Sequence, residues 1–243
     1  MDKLETYLEK VIADMQATRP KYKSLLRQEL ETYSIPFFGD VENARVLTVG
    51  VNPSATEFEK KRNWHDKMTT VELKDRLQSY FVPEQTVSHK WFKTWSSAME
   101  PLGVSYQDGT AAHVDLSPRA TISMGKADPD MFAEMVQQDS QWFFNLLPKC
   151  SEARLILFAG CMTKKWYVVD AVKRIAPKYD FQVSGTSSRK GPGWTGFYCL
   201  HGPNIELPAF FCSISPSART TDQKQMLIER VKDHKHTLLE LMK

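Results

Sequence analysis

Nothing in the 243 residues is apolar for long enough to cross a bilayer: no uninterrupted run approaches the ~18–20 positions that a spanning helix needs. The opening Met1-Asp2-Lys3-Leu4-Glu5 lacks the apolar stretch of a signal peptide, so a cytoplasmic protein with no membrane partner is expected. Cysteine is scarce. Cys150, Cys161, Cys199 and Cys212 form no Cys-x-x-Cys pair and have no histidine at zinc-finger spacing, so no metal, iron–sulfur cluster or other cofactor is expected. All four are read as buried thiols. An excess of either charge is also missing: 32 Lys and Arg stand against 29 Asp and Glu, a net charge of +3, so any nucleic-acid surface has to be a local patch. There is no Gly-x-Ser-x-Gly elbow, no P-loop and no His-Glu-x-x-His pair, which excludes the usual esterase, nucleotidase and metalloprotease signatures. Internal repeats, low-complexity tails and dividing linkers are absent as well.

What is present suits one packed core. With 42% hydrophobic and 25% charged residues, the chain reads as a single domain over 1–243, expected to be monomeric, with 1–34 as a helical extension packed on it. Leu4, Leu8, Val11, Ile12 and Met15 recur at helical spacing. After a break near Arg19-Pro20 a second helix is expected through Tyr22, Leu25, Leu26, Leu30 and Tyr33. Residues 35–40 read as an ordered loop into a buried strand over 44–50. Helices follow at 70–80 and 89–102, the latter stopped by Gly103, then a strand at 111–116 and a helix at 130–147 before Pro148. A strand at 153–159, a helix at 162–175, weaker strands at 181–183 and 196–200, and a stronger strand at 209–215 complete the run. Asp222 is the expected N-cap of a last helix reaching Met242. Strands alternating with helices predict an α/β fold, three layers deep, around a central and mainly parallel sheet whose ligands bind outside the carboxyl ends of the strands.

Three of those exits run into proline: Gly50-Val51-Asn52-Pro53-Ser54, Asp115-Leu116-Ser117-Pro118-Arg119 and Ser215-Pro216-Ser217-Ala218-Arg219. Proline fixes φ and removes a donor, so such turns hold neighbouring polar groups still, as a preorganised site requires. In these residues the chain resembles the uracil-DNA glycosylase superfamily, nearest its mismatch-specific and single-strand-selective branches. Gly50-Val51-Asn52-Pro53 is similar to the first motif of those branches, and Ser215-Pro216-Ser217-Ala218-Arg219 to their last. Pro36-Phe37-Phe38-Gly39-Asp40 is similar to the lead-in before their first strand, and order and spacing agree from about residue 35 to 240.

The resemblance implies a uracil-DNA glycosylase-like fold and a DNA glycosylase, a hydrolase of base-excision repair that cuts the N-glycosidic bond of a damaged or deaminated base flipped out of single- or double-stranded DNA. The transition state has oxocarbenium character, with negative charge growing on the departing base. Asn52 then positions the attacking water, or alternatively only caps its own turn. Ser215 takes a position where several branches have a histidine, and it carries no charge. Gly50, Val51 and Asp115 would line the base, with Phe58, or alternatively Trp64, as a stacking wall unless Phe58 is an ordinary core residue. Arg219 falls at the position of the family's DNA wedge, or is a solvated side chain at a helix start. Ser54 and Ser217 can donate to phosphates, with Lys60, Lys61, Arg62, Arg189 and Lys190 supplying charge.

Asp115 departs from the pattern, because branches that read uracil use an asparagine there. An ionised carboxylate only accepts hydrogen bonds and favours bases that present amines, whereas a protonated one donates but needs burial to raise its pKa. His113 and Arg119 flank it and are alternatives, and His201 is an alternative for the missing histidine. Slow or altered-base excision is therefore one reading. A catalytically inactive nucleic-acid-binding module and a nucleobase or nucleoside binder are the others.

Overall fold

The computed structural model describes residues 2–26, 34–53, 68–82, 90–122, 127–160, 172, 176–185, 193–216 and 220–243. Within them the chain is an α/β protein, in the order α1 (Lys3–Tyr22), β1 (Phe37–Phe38), β2 (Val46–Gly50), α2 (Thr70–Gln78), α3 (Lys90–Met99), β3 (Ala111–Asp115), α4 (Pro129–Leu146), β4 (Leu155–Ala159), β5 (Asp180–Val183), β6 (Thr195–Gly202), β7 (Ile205–Cys212), α5 (Thr221–Asp233) and α6 (Lys235–Leu241).

The seven strands form one sheet in the order β1-β3-β2-β4-β7-β6-β5. The four central strands β3, β2, β4 and β7 are parallel, as expected. The outer pairings β1–β3, β7–β6 and β6–β5 are antiparallel, so the sheet is mixed around its parallel centre. β2, β3 and β4 are buried at every position, which is why their sequences read as near-continuous runs. Helices cover both faces. Phe143 of α4 meets Phe158 of β4 on one, while Phe92 of α3 meets His113 of β3, and His234 meets Phe210 of β7, on the other.

The helix starts follow local chemistry. Thr69 and Glu72 form a reciprocal capping box on α2, and Asp128 caps α4 by accepting from the N–H groups of Asp130 and Met131, with Pro129 at the first turn. At α5 the cap is Thr220 and not Asp222. The Thr220 hydroxyl accepts from the Gln223 N–H, and Asp222 falls in the first turn, where the helix dipole favours its charge.

Other departures have tertiary causes. α1 runs unbroken through Pro20 to Tyr22, because Pro20 lies in the last turn and both it and Gln16 are exposed, so the carbonyl that loses its N–H partner faces water. Residues 23–26 form a turn and a bridge from Leu26 to Thr121 in place of the start of a second helix; residues 27–33 of that expected helix lie outside the described residues. Phe37 and Phe38 are drawn out of the expected loop by pairing with Val114 and His113. β7 begins at Ile205, well before the expected residue 209, because it forms a hairpin with β6 across a turn in which Asn204 adopts φ +59°. The last helix breaks at His234, whose Nε2 lies 3.2 Å from Thr195 Oγ1 and whose ring packs between Phe197 and Phe210. The helix expected at 162–175 lies outside the described residues apart from the helical Val172. Among the described residues no helix is long and apolar enough to cross a membrane.

Candidate functional site

Parallel strands put their exits on one edge, and pairing continues beyond the strands themselves. Gly50 is in register with Asp115, the Leu116 N–H donates to Gly50 O at 3.1 Å, and the Ser117 N–H donates to Val51 O at 2.9 Å. The loops 50–53 and 116–121 are thus joined, and Pro36 O accepts from the Asp115 N–H on the far side at 3.1 Å. Because β2 lies between β3 and β4, the strand order reverses at β2, the place where open α/β sheets leave a crevice. Across β4, Gly160 adopts φ +69° and sits so close to Ser215 that a Cβ there would come within 2.7 Å of the serine Cβ. Gly50, Val51, Asn52 and Asp115 are therefore together, with Ser215 at the exit of β7, two strands along.

Asn52 is committed to the loop. Its Nδ2 donates to Pro53 O (3.2 Å), Arg119 O (3.1 Å) and Thr121 Oγ1 (3.0 Å). Two of these acceptors are carbonyls, which fixes the amide nitrogen on that side and turns Oδ1, an acceptor, the other way.

Asp115 ends a buried polar row. Tyr106 OH lies 2.6 Å from Thr48 Oγ1, Thr48 Oγ1 lies 2.8 Å from His113 Nδ1, and His113 Nε2 stands 3.4 Å from Asp115 Oδ1. Asp115 is 3% exposed, and its Oδ2 has no hydrogen-bond partner among the described residues. Burial pushes its carboxyl above the ordinary carboxylate range, against the opposing pull of His113, and burial likewise pushes the Tyr106 phenol up. Gly50 makes room for this packing: a Cβ there would lie 2.5 Å from Asp115 Oδ1 and 2.9 Å from His113 Nε2. Phe92, Trp91 and Phe38 surround the His113 ring at 5.2, 5.7 and 6.0 Å. Neither Thr48 nor Tyr106 stood out in the sequence, although a lone hydroxyl inside the apolar run of β2 was a signal.

Arg119 is no candidate for contacting a ligand, because its guanidinium is buried and each of its three nitrogens is engaged. Nε pairs with Asp139 Oδ2 at 2.9 Å, Nη1 donates to Met15 O at 3.1 Å, and Nη2 donates to Thr18 Oγ1. The Ser117 hydroxyl donates to the same Asp139 oxygen at 2.6 Å. Burial pushes the Asp139 carboxyl up while Arg119 and Ser117 pull it down. This pair fastens loop 116–121 to α1 and α4, and Arg119 O in turn holds Asn52.

His201 cannot replace the missing histidine. It lies at the hairpin end of β6 opposite Glu206, whereas Ser215 follows the other end of β7, about 20 Å away at 3.3 Å per residue. Cys150 and Cys212 are buried as expected, but Cys199, on β6 near the edge of the sheet, is partly exposed. Phe58, Ser54, Ser217, Arg219, Arg189 and Lys190, together with Lys60, Lys61, Arg62, Trp64 and Cys161, lie outside the described residues.

Fold and site together define an α/β protein with helices on both faces of a mixed sheet and a buried polar row ending at the exits of its parallel strands. No protein-family model matches the chain, and no curated protein is found to be similar to it.

Proposed function

We propose that this protein is a DNA base glycosylase of uracil-DNA glycosylase-like fold, hydrolysing the N-glycosidic bond of a deaminated base turned out of DNA. The observation that carries the reading is the Asp115 carboxyl: buried, raised in pKa, with one oxygen unpartnered, beside Asn52 where the strand order reverses. Protonated, it offers one donor and one acceptor, the pattern of the asparagine amide that reads uracil in the family it resembles. A carbonyl next to a ring N–H, as in uracil, hypoxanthine or xanthine, complements it, whereas an exocyclic amine does not.

In the reaction, water oxygen bonds to the sugar C1′ as the C1′–N bond breaks and its electron pair passes to the base; the water proton leaves to solvent or to the base. Asn52 Oδ1 accepts from that water and aligns it, with its amide nitrogen anchored by loop 116–121. The Ser215 hydroxyl donates to the departing base. It is a neutral group, so turnover is slow.

The test is incubation of purified protein with single- and double-stranded oligonucleotides carrying uracil, hypoxanthine, xanthine or mismatched thymine, followed by cleavage at abasic sites. Product from one or more of these, lost in Asn52→Ala with DNA binding retained, is expected. No product on any substrate overturns the enzyme reading. The neutral Ser215 favours a second reading, a nucleic-acid-binding module of the same fold without turnover, which predicts binding to DNA and no product.

A further inference from the structure

At the end of the sheet away from the strand exits, the β6–β7 hairpin brings three metal-ligating side chains to one face. Cys199 and His201 are two apart on β6 and so point the same way, and Glu206 on β7 is in direct register with His201. Sγ of Cys199, a ring nitrogen of His201 and a carboxylate oxygen of Glu206 all lie within 4.8 Å of one another, with the Cys199 thiol 4.0 Å from Glu206 Oε1. Cys199 and His201 are partly exposed and Glu206 is exposed, so the cluster is open to solution.

We propose that Cys199, His201 and Glu206 bind a divalent cation of the zinc class. Around a tetrahedral zinc ion such donors stand about 3.3–3.6 Å apart, so the three need only close by roughly 1 Å, within reach of side-chain torsions on a fixed hairpin. A thiolate with an imidazole selects zinc over magnesium or calcium, which take oxygen donors. Three protein ligands leave a fourth position to water. Sequence spacing alone hides the set, because the third ligand comes from the neighbouring strand.

Burial, and then the charge of Glu206, pushes the Cys199 thiol up. The cation displaces that proton on binding, as thiolate ligation requires. The ion would tie β6 to β7 and takes no part in chemistry at the other end of the strands.

The test is titration of the full-length reduced protein with cobalt(II) and then zinc(II). One equivalent of cobalt giving a thiolate charge-transfer band, bleached by one equivalent of zinc, is expected, with a zinc-dependent rise in Tm. Cys199→Ser abolishes the band, and His201→Ala and Glu206→Gln each weaken binding at least tenfold, while Cys161→Ser behaves as wild type. All three sites are partly or fully exposed, so the variants fold, which their melting curves without metal verify. Absence of a band in wild type, or wild-type affinity in any of the three site variants, overturns the proposal.

Discussion

A carboxyl group in water ionises at about 3.9, but Asp115 is held among rings and strands where ionisation is costly. If the protonated form reads the base, activity falls as pH rises through the raised value, because the donor is lost. Asp115→Asn keeps a donor and an acceptor at every pH, so its activity profile is expected to be flat on that limb and within about tenfold of wild type at the optimum. Asp115→Ala removes both, and a loss of about 1–3 kcal/mol, roughly 5- to 160-fold in kcat/KM, is expected. Gly50 is the second sensitive residue. Gly50→Ala forces a methyl against Asp115 and His113 inside rigid strands, and overpacking of this kind costs about 1–3 kcal/mol, measurable by urea denaturation.

Among elements, the site depends on a loop that helices hold in place. Arg119 and Asp139 are each under 5% exposed, so removing either partner leaves a buried charge uncompensated. Arg119→Ala and Asp139→Ala are each expected to lose about 3–5 kcal/mol of stability by chemical denaturation. The double variant should lose less than the sum, since the second change removes the stranded charge. Thr69→Ala, which opens the capping box of α2, serves as a local comparison and should cost about 1 kcal/mol without altering the site.

For the molecule as a whole, the raised Asp115 carboxyl predicts a pH dependence of stability. The unfolded chain releases this proton near the ordinary carboxylate value, and the native protein holds it to higher pH. Native protein therefore binds more protons in that window, and stability falls as pH climbs from about 4 through the raised value, by up to about 1.4 kcal/mol per unit. The difference in unfolding free energy between wild type and Asp115→Asn, followed from pH 4 upward, should drift by this slope in favour of the asparagine variant. A constant difference across that range would mean that Asp115 is not perturbed.

Much of the architecture was legible in the chain. The short apolar runs at 46–50 and 155–159 are buried at every position in central strands, and helical spacing put α2 and α4 close to their observed bounds, so these strands and helices followed from periodicity. The clustering of Gly50, Asn52 and Asp115 followed as well, because the exits of parallel strands share an edge. The fate of individual polar groups had to await packing. That Arg119 is spent on Asp139, that Asn52 donates into the neighbouring loop, that Thr48 and Tyr106 extend the row behind Asp115, and that Glu206 faces His201 all depend on partners distant in sequence. A side chain's periodicity reports which face it occupies; its protonation and its partners are set by what the other elements bring against that face.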